Sequence, residues 1–302
     1  MVLNTVGVTG ASGMLGRHVV AALENAGLTV VRFVRPPSTP PLRAWDLTEW
    51  KTDGEFDALF QSVDAIVHAA AAVPRGPGLL SEQVLYDANV RATFNLGRWA
   101  LTRDQPLVYV SGAIVFAEPN ATGIREDAPL GWTGLGGAYG LTKSLAEATI
   151  RQLKDLGLKA AIVRPSSVYG HGLDADKVIC RFLKRATAGD AVELAEPVTD
   201  SSNLVHAADV ASAIVQILLG RSWETFNVAA PTGTSMISLA ETCIAVAGNG
   251  CLTLTPRNQP SRPPVHRFGL SCDLAQARLG WSPRVSLEAG LRAIIEERVI
   301  VV

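Results

Sequence analysis

The sequence predicts an α/β fold, a doubly wound parallel sheet with a smaller, mostly C-terminal lobe. Two observations support this prediction. Short apolar runs alternate with segments of helical periodicity through the first half of the chain, and a glycine-rich turn joins the first run to the first helical segment. Strands that are apolar along their whole length are typical of parallel sheets that carry helices on both faces.

The first half of the chain supplies the elements of this sheet. Continuous apolar runs predict strands, and apolar residues at helical spacing predict the helices between them. The strands are expected at residues 2–8, 28–34, 65–68, 107–110 and 160–164, and the helices at 14–26, 81–102 and 139–156.

The pattern loosens after about residue 170. Helices are expected at about 176–188, 209–219, 238–247, 273–279 and 287–297, separated by short strand-like pieces and Pro/Gly loops. This change predicts a first domain over residues 1–170 and a lobe over residues 171–302. Strand-like segments at 204–206 and 226–228 indicate that the stretch from about 203 to 230 returns to the first domain.

Composition and charge exclude several classes of function. The 302 residues are 48% hydrophobic and 18% charged, with a formal net charge of −1 and no basic cluster. Nucleic acid and anionic membranes are therefore not expected as partners. No apolar run approaches the roughly 20 residues of a membrane span, and the early first strand leaves no room for a signal peptide. The four cysteines lack metal-site spacing, which predicts reduced thiols, no metal and a cytoplasmic location.

The glycine-rich turn has the spacing of a dinucleotide-binding site. Gly10 allows a sharp turn off the strand, Gly13 lets the backbone approach a pyrophosphate, and Gly16 lets the helix pack on the sheet. The free N–H groups and the positive dipole end of the helix suit phosphates. This pattern predicts a Rossmann domain whose cofactor contacts include Gly10, Ser12, Gly13, Met14, Leu15 and Gly16.

The end of the second strand favours NADP over NAD. An NAD site usually places a carboxylate there, whereas an NADP site places an arginine there for the 2′-phosphate. No Asp or Glu occurs between Glu24 and Asp46, and the strand ends at Arg35. Arg35, with Arg32 or Arg17 as alternatives, can pair with a phosphate. A solvated surface arginine is the other interpretation.

Two further segments are expected to touch the cofactor. A short third strand is expected between the segments at 28–34 and 65–68, and Asp46 and Leu47, which follow it, are candidates for contacts with the adenine. Ala69, Ala70 and Ala71 follow the next strand, and their small side chains let the cofactor pass close to the backbone.

Tyr139 and Lys143 are the candidate chemical centre. A tyrosine and a lysine four residues apart lie on one face of a helix. The lysine charge is expected to lower the tyrosine pKa from its usual value near 10, and its ammonium can also donate to ribose hydroxyls. The pair therefore suits proton transfer to or from a substrate oxygen, coupled to hydride transfer at a nicotinamide.

Seven motifs in order resemble one family, the extended short-chain dehydrogenase/reductases, often called the NAD-dependent epimerase/dehydratase family. They cover nearly the whole chain, at residues 9–16 (TGxxGxxG), 64–70 (DxxxHxAA), 89–96, 139–143 (YxxxK), 164–170 (RPxxVYG), 206–211 (HVxDVA) and 273–287 (DxxxAxxxLGWxPxxxL). The resemblance implies that Asn89 supports the active site and that Pro165 and Val168 line the nicotinamide side.

The resemblance also implies a reaction and an assembly. Tyr139 would act as acid and base, Lys143 would tune it and hold the ribose, and the substrate would be a nucleotide-activated sugar. Most members are 4-epimerases, 4,6-dehydratases or ketoreductases. Members often dimerise through a four-helix bundle, for which the candidates here are the helix near 81–103 and the helix that begins at Tyr139.

The chain departs from the family pattern at three places. The family's catalytic hydroxyl aligns with Gly112, so Ser111 would have to replace it, and Gly112 would face the substrate. The arginine that often precedes the HVxDVA segment is Ser202, which leaves Arg262 as the candidate for the substrate diphosphate. The acidic pair of the dehydratases is replaced by residues 113–114, Ala-Ile, which cannot transfer protons.

These departures leave alternatives open. The leading hypothesis is an NAD(P)-dependent oxidoreductase or epimerase that acts on a nucleotide sugar. The loss of the arginine favours an NADPH-dependent ketoreductase on a non-nucleotide substrate. The loss of the serine would permit a non-catalytic NADP(H)-binding sensor, although a sensor has no need of Tyr139 and Lys143.

Overall fold

A computed structural model describes residues 3–74, 80–131, 135–196, 198–256 and 264–302. Within these ranges the strands, in chain order, are β1 (Thr5–Thr9), β2 (Thr29–Val34), β3 (Arg43–Ala44), β4 (Ala65–His68), β5 (Leu107–Val110), β6 (Thr122–Ile124), β7 (Ala160–Pro165), β8 (Ser167–Tyr169), β9 (Ala191–Ala195), β10 (Ser201–Ser202), β11 (Leu204–His206), β12 (Thr225–Val228), β13 (Thr234–Ser235), β14 (Cys251–Thr255), β15 (His266–Arg267) and β16 (Gly269–Leu270).

The α-helices in the same ranges are α1 (Met14–Asn25), α2 (Asp53–Leu59), α3 (Glu82–Tyr86), α4 (Ala92–Thr102), α5 (Gly137–Asp155), α6 (Val178–Ala188), α7 (Ala207–Gly220), α8 (Met236–Ala247), α9 (Asp273–Leu279) and α10 (Leu287–Ile295). They include α2, which was not predicted, and two helices, α3 and α4, in place of the one expected at 81–102. None of these helices is both long and apolar enough to cross a lipid bilayer.

The predicted parallel sheet is confirmed. Among the described strands, seven form one sheet in the order β12-β7-β5-β4-β1-β2-β3, and all of the neighbouring pairs are parallel. The chain winds from β1 toward β3 on one side and from β4 toward β12 on the other. The direction of winding therefore reverses between β1 and β4, and a crevice opens there at the carboxyl ends of the strands.

Helices cover both faces of this sheet, and its central strands β4, β5 and β7 are buried along their whole length. One face packs α1 and α7 around Val8, Val67 and Ile214, and the other packs α4 and α5 around Ile66 and Ile150. Burial on both faces explains why β4, β5 and β7 have no polar alternation.

The C-terminal half forms a core of its own and also returns to the sheet. Phe182, Val192, Leu239 and Leu291 belong to a separate buried cluster built from α6, β9, α8 and α10. Strand β12 completes the edge of the central sheet beside β7, and β11 pairs with β8. Both strands lie in the stretch expected to return, while the division into domains at residue 170 stays a prediction.

The predicted helix at 81–102 is interrupted. Helices α3 and α4 are separated by a π-helical turn at Asp87–Arg91. Thr93 Oγ1, at the start of α4, donates to the carbonyl oxygen of Asn89 in this turn at 2.7 Å. Such turns often occur at functional sites, and this one presents the Asn89 side chain to the crevice segment that follows β4. The periodicity of the sequence does not reveal this π-helical turn, because the residues that bond to Asn89 come from distant parts of the chain.

Candidate active site

Glycine is required at two positions of the turn between β1 and α1. Gly10 has a φ of +69°, and a Cβ there would lie 2.8 Å from the Cα of Ala70. A Cβ on Gly16 would collide with the carbonyl oxygen of Gly10. The turn can therefore keep β1, the loop after β4 and α1 in close contact only if both side chains are absent.

The first turn of α1 offers its backbone amides to an anion. Gly13 is the N-cap residue and supplies no side-chain hydrogen bond to the helix. Ser12 and Gly13 are exposed, and Met14 and Leu15 are half-buried. Unsatisfied N–H groups and the helix dipole attract phosphates. The residues present therefore fit the pyrophosphate of a dinucleotide.

The loop after β4 is held by a chain of hydrogen bonds. Thr9 Oγ1 accepts from the amide of Ala70 at 3.2 Å and lies 2.8 Å from His68 Nδ1. His68 Nε2 lies 3.2 Å from Thr93 Oγ1. Burial lowers the pKa of His68 to about 3, with a smaller contribution from the Lys143 charge, so the ring is neutral. This chain fixes Ala69 and Ala70 beside Gly10, where the backbone lines the crevice.

Asn89 fastens the same loop to α5. Its Oδ1 accepts from the amide of Ala72 at 2.7 Å, and its Nδ2 donates to the Ala72 carbonyl at 3.0 Å and to Thr142 Oγ1 at 3.1 Å. Both amide hydrogens are thus used within the protein. Asn89 therefore acts in this structure by positioning the end of the loop that contains Ala71, beside the helix that carries Lys143.

Arg35 differs from the two alternative arginines, Arg32 and Arg17, in its hydrogen bonds and ion pairs. Arg32 pairs with Glu24 at 2.7 Å, and Arg17 Nε donates to the carbonyl of Ser12 at 2.9 Å. Arg35 forms no hydrogen bond or ion pair with any residue that the structure describes. It is exposed and directly follows β2.

Asp46 faces Arg35 from the end of β3. Its Oδ1 accepts from the amide and the hydroxyl of Thr48, both at 2.8 Å. These hydrogen bonds lower the pKa of Asp46, and the Arg35 charge adds a smaller effect. The structure thus brings Arg35, Asp46 and the adjoining Leu47 to one end of the crevice.

Tyr139 and Lys143 lie in the first two turns of α5. Lys143 is buried, and its Nζ donates to the Val110 carbonyl at 2.7 Å and lies 4.7 Å from the centre of the Tyr109 ring. Burial lowers the pKa of Lys143 to about 8, although Glu147 opposes this shift. Burial raises the pKa of Tyr139 to about 12.

The expected lowering of the Tyr139 pKa is therefore not found in this structure. The Lys143 ammonium is bonded to the Val110 carbonyl, and removal of the phenol from water dominates its titration. A phenol with a raised pKa keeps its proton at neutral pH.

Ser111 does not direct its hydroxyl at Tyr139. Its Oγ donates to Glu147 Oε2 at 2.7 Å. Glu147 is fully buried and pairs with the equally buried Arg164, whose Nη2 lies 2.5 Å from Oε1. Arg164 Nη1 also donates to the Glu126 carbonyl at 2.9 Å. The structure thus ties Ser111 into a network that joins β5, α5 and β7, and its catalytic role stays a prediction.

Gly112 leaves open space where the family hydroxyl would lie. Its φ of 177° and ψ of 159° are extended backbone that any residue adopts. A Cβ built on it would meet only Ile114 Cγ2 at 3.9 Å and the Pro165 carbonyl at 4.0 Å. Neither the backbone nor the packing therefore requires glycine here.

The two residues that follow Pro165 make polar contacts with the segment at 202–203. Ser166 Oγ donates to Asn203 Oδ1 at 2.7 Å, and Ser167 Oγ lies 2.9 Å from Ser202 Oγ. Val168 is half-buried and pairs with Val205 of β11. Arg262, the predicted substrate contact, lies outside the described residues.

Sequence reasoning missed the network behind the catalytic pair. Glu147 follows Lys143 by four residues, so it lies on the same helical face. This spacing could have drawn attention to Glu147. Its partner Arg164 is contributed by a different strand, and no spacing along the chain links the two residues.

The fold and the site define a Rossmann-type protein that binds an NAD(P)-type cofactor. The sheet has a glycine turn at its crevice, and α5 carries the Tyr-Lys pair. Few protein families combine these features. Residues 6–229 match the model of the NAD dependent epimerase/dehydratase family. The chain belongs to this family of enzymes.

Similar proteins act on nucleotide sugars. The dTDP-4-dehydro-6-deoxy-D-allose reductase of a Streptomyces species is 30% identical over 284 residues, covering 86% of this chain and 85% of the relative. UDP-glucuronic acid decarboxylase 6 of Arabidopsis thaliana is 24% identical, covering 96% and 87%. The structure of MoeE5 in complex with UDP-glucose and NAD is 25% identical with a TM-score of 0.79, covering 97% and 98%.

Proposed function

We propose that this enzyme reduces a keto group of a nucleotide-activated sugar, with Tyr139 as the proton donor. The proposal is carried by the position of Tyr139 in α5, one helical turn before the buried Lys143, with a phenol that burial keeps protonated. Reduction of a carbonyl needs one proton at the oxygen, which a phenol with a pKa of about 12 can give. The relative that reduces a dTDP-linked keto sugar supports the same reaction.

Each residue of the site has a separate role in the proposed reduction. The bound cofactor supplies the hydride. Tyr139 holds the proton for the carbonyl oxygen, and the Lys143 charge stabilises the phenolate that remains. Lys143 is in turn held by the Val110 carbonyl at 2.7 Å. Asn89 keeps the loop after β4 and the first turn of α5 in fixed relation through Ala72 and Thr142.

The cofactor proposed is NADP rather than NAD. Arg35 is the one of the three candidate arginines without a described partner, and Arg32 and Arg17 are already bonded. A planar guanidinium suits the 2′-phosphate of NADP. Asp46 lies nearby, but its Oδ1 is already occupied by Thr48.

Replacing Arg35 by alanine is expected to weaken NADPH binding by about tenfold or more and to leave NADH binding nearly unchanged. The reason is that only NADPH presents a phosphate to this side chain. Fluorescence titration with both cofactors measures the effect. Arg32→Ala is the matched control, because Arg32 is engaged with Glu24. Equal NADPH affinity in Arg35→Ala and the unmodified enzyme would contradict the proposal.

Adding a hydroxyl at Gly112 is expected to raise turnover. Gly112→Ser should increase kcat by about tenfold to a hundredfold, because it adds a donor for the substrate oxygen where the structure leaves space. Steady-state kinetics on the best substrate measure the gain. Gly54→Ser, at a helical glycine whose Cβ would meet nothing within 4 Å, is the control. An unchanged or lower kcat, with NADPH binding intact, would show that no hydroxyl is missing.

A second candidate function is reduction of a ketone on a non-nucleotide substrate. Ser202 favours it, because the cation that often meets a diphosphate in this family is absent from that position. Keto substrates linked to dTDP or UDP, compared with the same ketones without a nucleotide, separate the two candidates. Turnover that requires the nucleotide supports the first proposal.

The first experiment is to denature the purified protein and identify any released nucleotide by mass spectrometry. A reductase exchanges its cofactor in each cycle, so NADP(H), or a site that is empty and prefers NADPH, supports the proposal. Tightly retained NAD would instead favour an epimerase, which recycles its cofactor within one turnover, and it would overturn the role given to Arg35.

The homodimer and the cytoplasmic location stay proposals. Tyr86 on α3 and Leu145 on α5 are exposed by 50% and 39%, and both lie on the helices expected to form the four-helix bundle. Exposed apolar side chains on these helices support an interface between two copies.

A further inference from the structure

The Lys143 ammonium lies over the face of a buried ring, that of Tyr109 in β5. Its Nζ is 4.7 Å from the centre of the ring and donates to the Val110 carbonyl at 2.7 Å. The face of an aromatic ring is electron-rich and attracts a cation within about 6 Å. The end of β5 therefore holds the ammonium by two contacts, one with the backbone and one with the Tyr109 ring.

The Tyr109 ring is fixed by its neighbours in the sheet. Tyr109 pairs with His68 of β4 in the parallel register, and the centres of their rings are 6.0 Å apart. The His68 ring in turn stacks on Trp45 at 5.8 Å. All three side chains are buried. Close packing of this row of rings keeps the face of Tyr109 in contact with Lys143.

The other groups around Lys143 supply little free negative charge. The titratable groups that face it are Tyr139 and Glu147 on α5, Tyr109 on β5 and His68 on β4. Both phenols keep their protons and His68 is neutral, because burial raises the pKa of the phenols and lowers that of the imidazole. Glu147 is negative, but two arginines are already paired with it. Since burial lowers the pKa of Lys143 to about 8, the attraction of the ring bears directly on whether the amine stays charged near neutral pH.

The contact with Lys143 is made by the ring of Tyr109 and not by its hydroxyl. The hydroxyl is buried and has no hydrogen-bond partner among the residues that the structure describes. An unpaired buried hydroxyl lowers stability. The attraction for a cation comes from the face of the ring, which phenylalanine also has. An aromatic ring is therefore the feature of Tyr109 that the neighbouring ammonium uses.

We propose that Tyr109 is a positioning residue, whose ring keeps the Lys143 side chain charged and fixed one helical turn from Tyr139. The attraction between a cation and a ring is stronger in a buried site than at the surface. The consequence for turnover rests on the proposed function, in which the ammonium stabilises the Tyr139 phenolate. The contact between the ring and the ammonium needs no substrate, so it can be tested alone.

The first measurement is the titration of Lys143 in variants of Tyr109. Tyr109→Leu is expected to move the midpoint about one pH unit lower, because the ammonium loses the attraction of the ring. Tyr109→Phe should leave the midpoint unchanged. The chain has six lysines, so NMR of isotope-labelled lysine side chains can follow each of them. The signal that is lost in Lys143→Arg identifies Lys143.

A fluorinated ring separates the electrostatic effect from packing. Trifluorophenylalanine introduced at position 109 keeps the shape of phenylalanine and weakens the negative potential of the ring face. Its Lys143 midpoint should therefore lie below that of Tyr109→Phe. Leu107→Val, at a buried residue on the same face of β5, is the matched control for lost packing and should leave the midpoint unchanged. A midpoint in the trifluorinated variant that equals or exceeds that of Tyr109→Phe would overturn the inference, whatever Tyr109→Leu shows.

The pH dependence of turnover connects the ring to the reaction. An enzyme that needs the ammonium loses activity as pH rises through the Lys143 pKa, so the alkaline limit of kcat should move to lower pH in Tyr109→Leu and stay in place in Tyr109→Phe. Equal losses of kcat in the two variants would overturn the inference, because the hydroxyl would then be the group required. If the Lys143 midpoints shift as expected but no keto sugar is reduced, the proposed function fails and the role of the ring stands.

Discussion

Replacing Tyr139 by phenylalanine is expected to lower kcat by about 10²- to 10⁴-fold and to leave NADPH binding nearly unchanged. The phenol is the group in this site that holds a transferable proton at neutral pH, since burial raises its pKa to about 12. Phenylalanine keeps the ring and removes only the hydroxyl. Single-turnover measurements of nicotinamide absorbance, with substrate in excess, report the loss in the chemical step.

The matched control for this prediction is Tyr86→Phe. Tyr86 is a half-exposed tyrosine on α3, outside the proposed proton path. Its replacement should leave kcat within the error of the measurement. If Tyr139→Phe retains full turnover on every substrate that the unmodified enzyme accepts, the catalytic assignment is wrong. If the unmodified enzyme binds NADPH but turns over no substrate, the non-catalytic sensor is favoured instead.

The central sheet was predictable because its inner strands, β4 and β5, are buried along their whole length and consist mainly of apolar residues. The expected segments at 65–68 and 107–110 coincide with β4 and β5 of this sheet, and the segment at 204–206 coincides with β11, which pairs with β8. Helix α2 was not predicted, although Thr52 and Glu55 form a capping box at its start. That signal is local and was present in the sequence. The helix itself is short, and its single fully buried side chain, Phe56, gives little periodicity.

The candidate site was predictable only where its residues are linked by spacing. Gly10, Gly13 and Gly16 are spaced three residues apart, and the structure shows why no side chain fits at Gly10 or Gly16. Tyr139 and Lys143 share a helical face by the same argument. The partner of Lys143 was not predictable, because the Val110 carbonyl reaches it across the sheet from another element.

The position of the Ser111 hydroxyl shows most clearly what sequence spacing cannot predict about the site. Its distance along the chain from Gly112 suggests that a shift of the loop would bring it to the substrate. Its actual partner is Glu147, which is 36 residues away and buried beneath the site. A buried carboxylate paired with Arg164 needs its remaining lone pairs satisfied, and the serine hydroxyl meets this need.

Helix α5 therefore carries two buried charged residues, Lys143 and Glu147, with different roles. Lys143 faces the reacting groups, and Glu147, one turn later, holds β5 and β7 through Ser111 and Arg164. Glu147 also favours the charged form of Lys143. The stability of the fold and the electrostatics of the site are thus connected through one helical face.

Replacing Glu147 by glutamine is expected to lower the free energy of unfolding by about 3–5 kcal/mol. The substitution keeps the shape of the side chain but leaves the Arg164 guanidinium charged and unpaired, and Arg164 is completely buried. The Glu126 carbonyl at 2.9 Å is neutral, and the Glu126 carboxylate has only a small electrostatic interaction with Arg164, so neither replaces the lost charge of Glu147. Urea unfolding followed by circular dichroism measures the change as a lower midpoint at an unaltered slope.

Two further variants test whether the loss of stability in Glu147→Gln comes from the unpaired charge of Arg164. Arg151 contacts the same carboxylate at 3.2 Å from an exposed position, so Arg151→Gln should cost no more than about 1 kcal/mol. Replacing both partners, Glu147→Leu with Arg164→Met, removes the charges together and should cost less than Glu147→Gln alone. A loss below about 1 kcal/mol in Glu147→Gln would mean that Arg164 finds water or another acceptor, and the network would then position Ser111 without stabilising the fold.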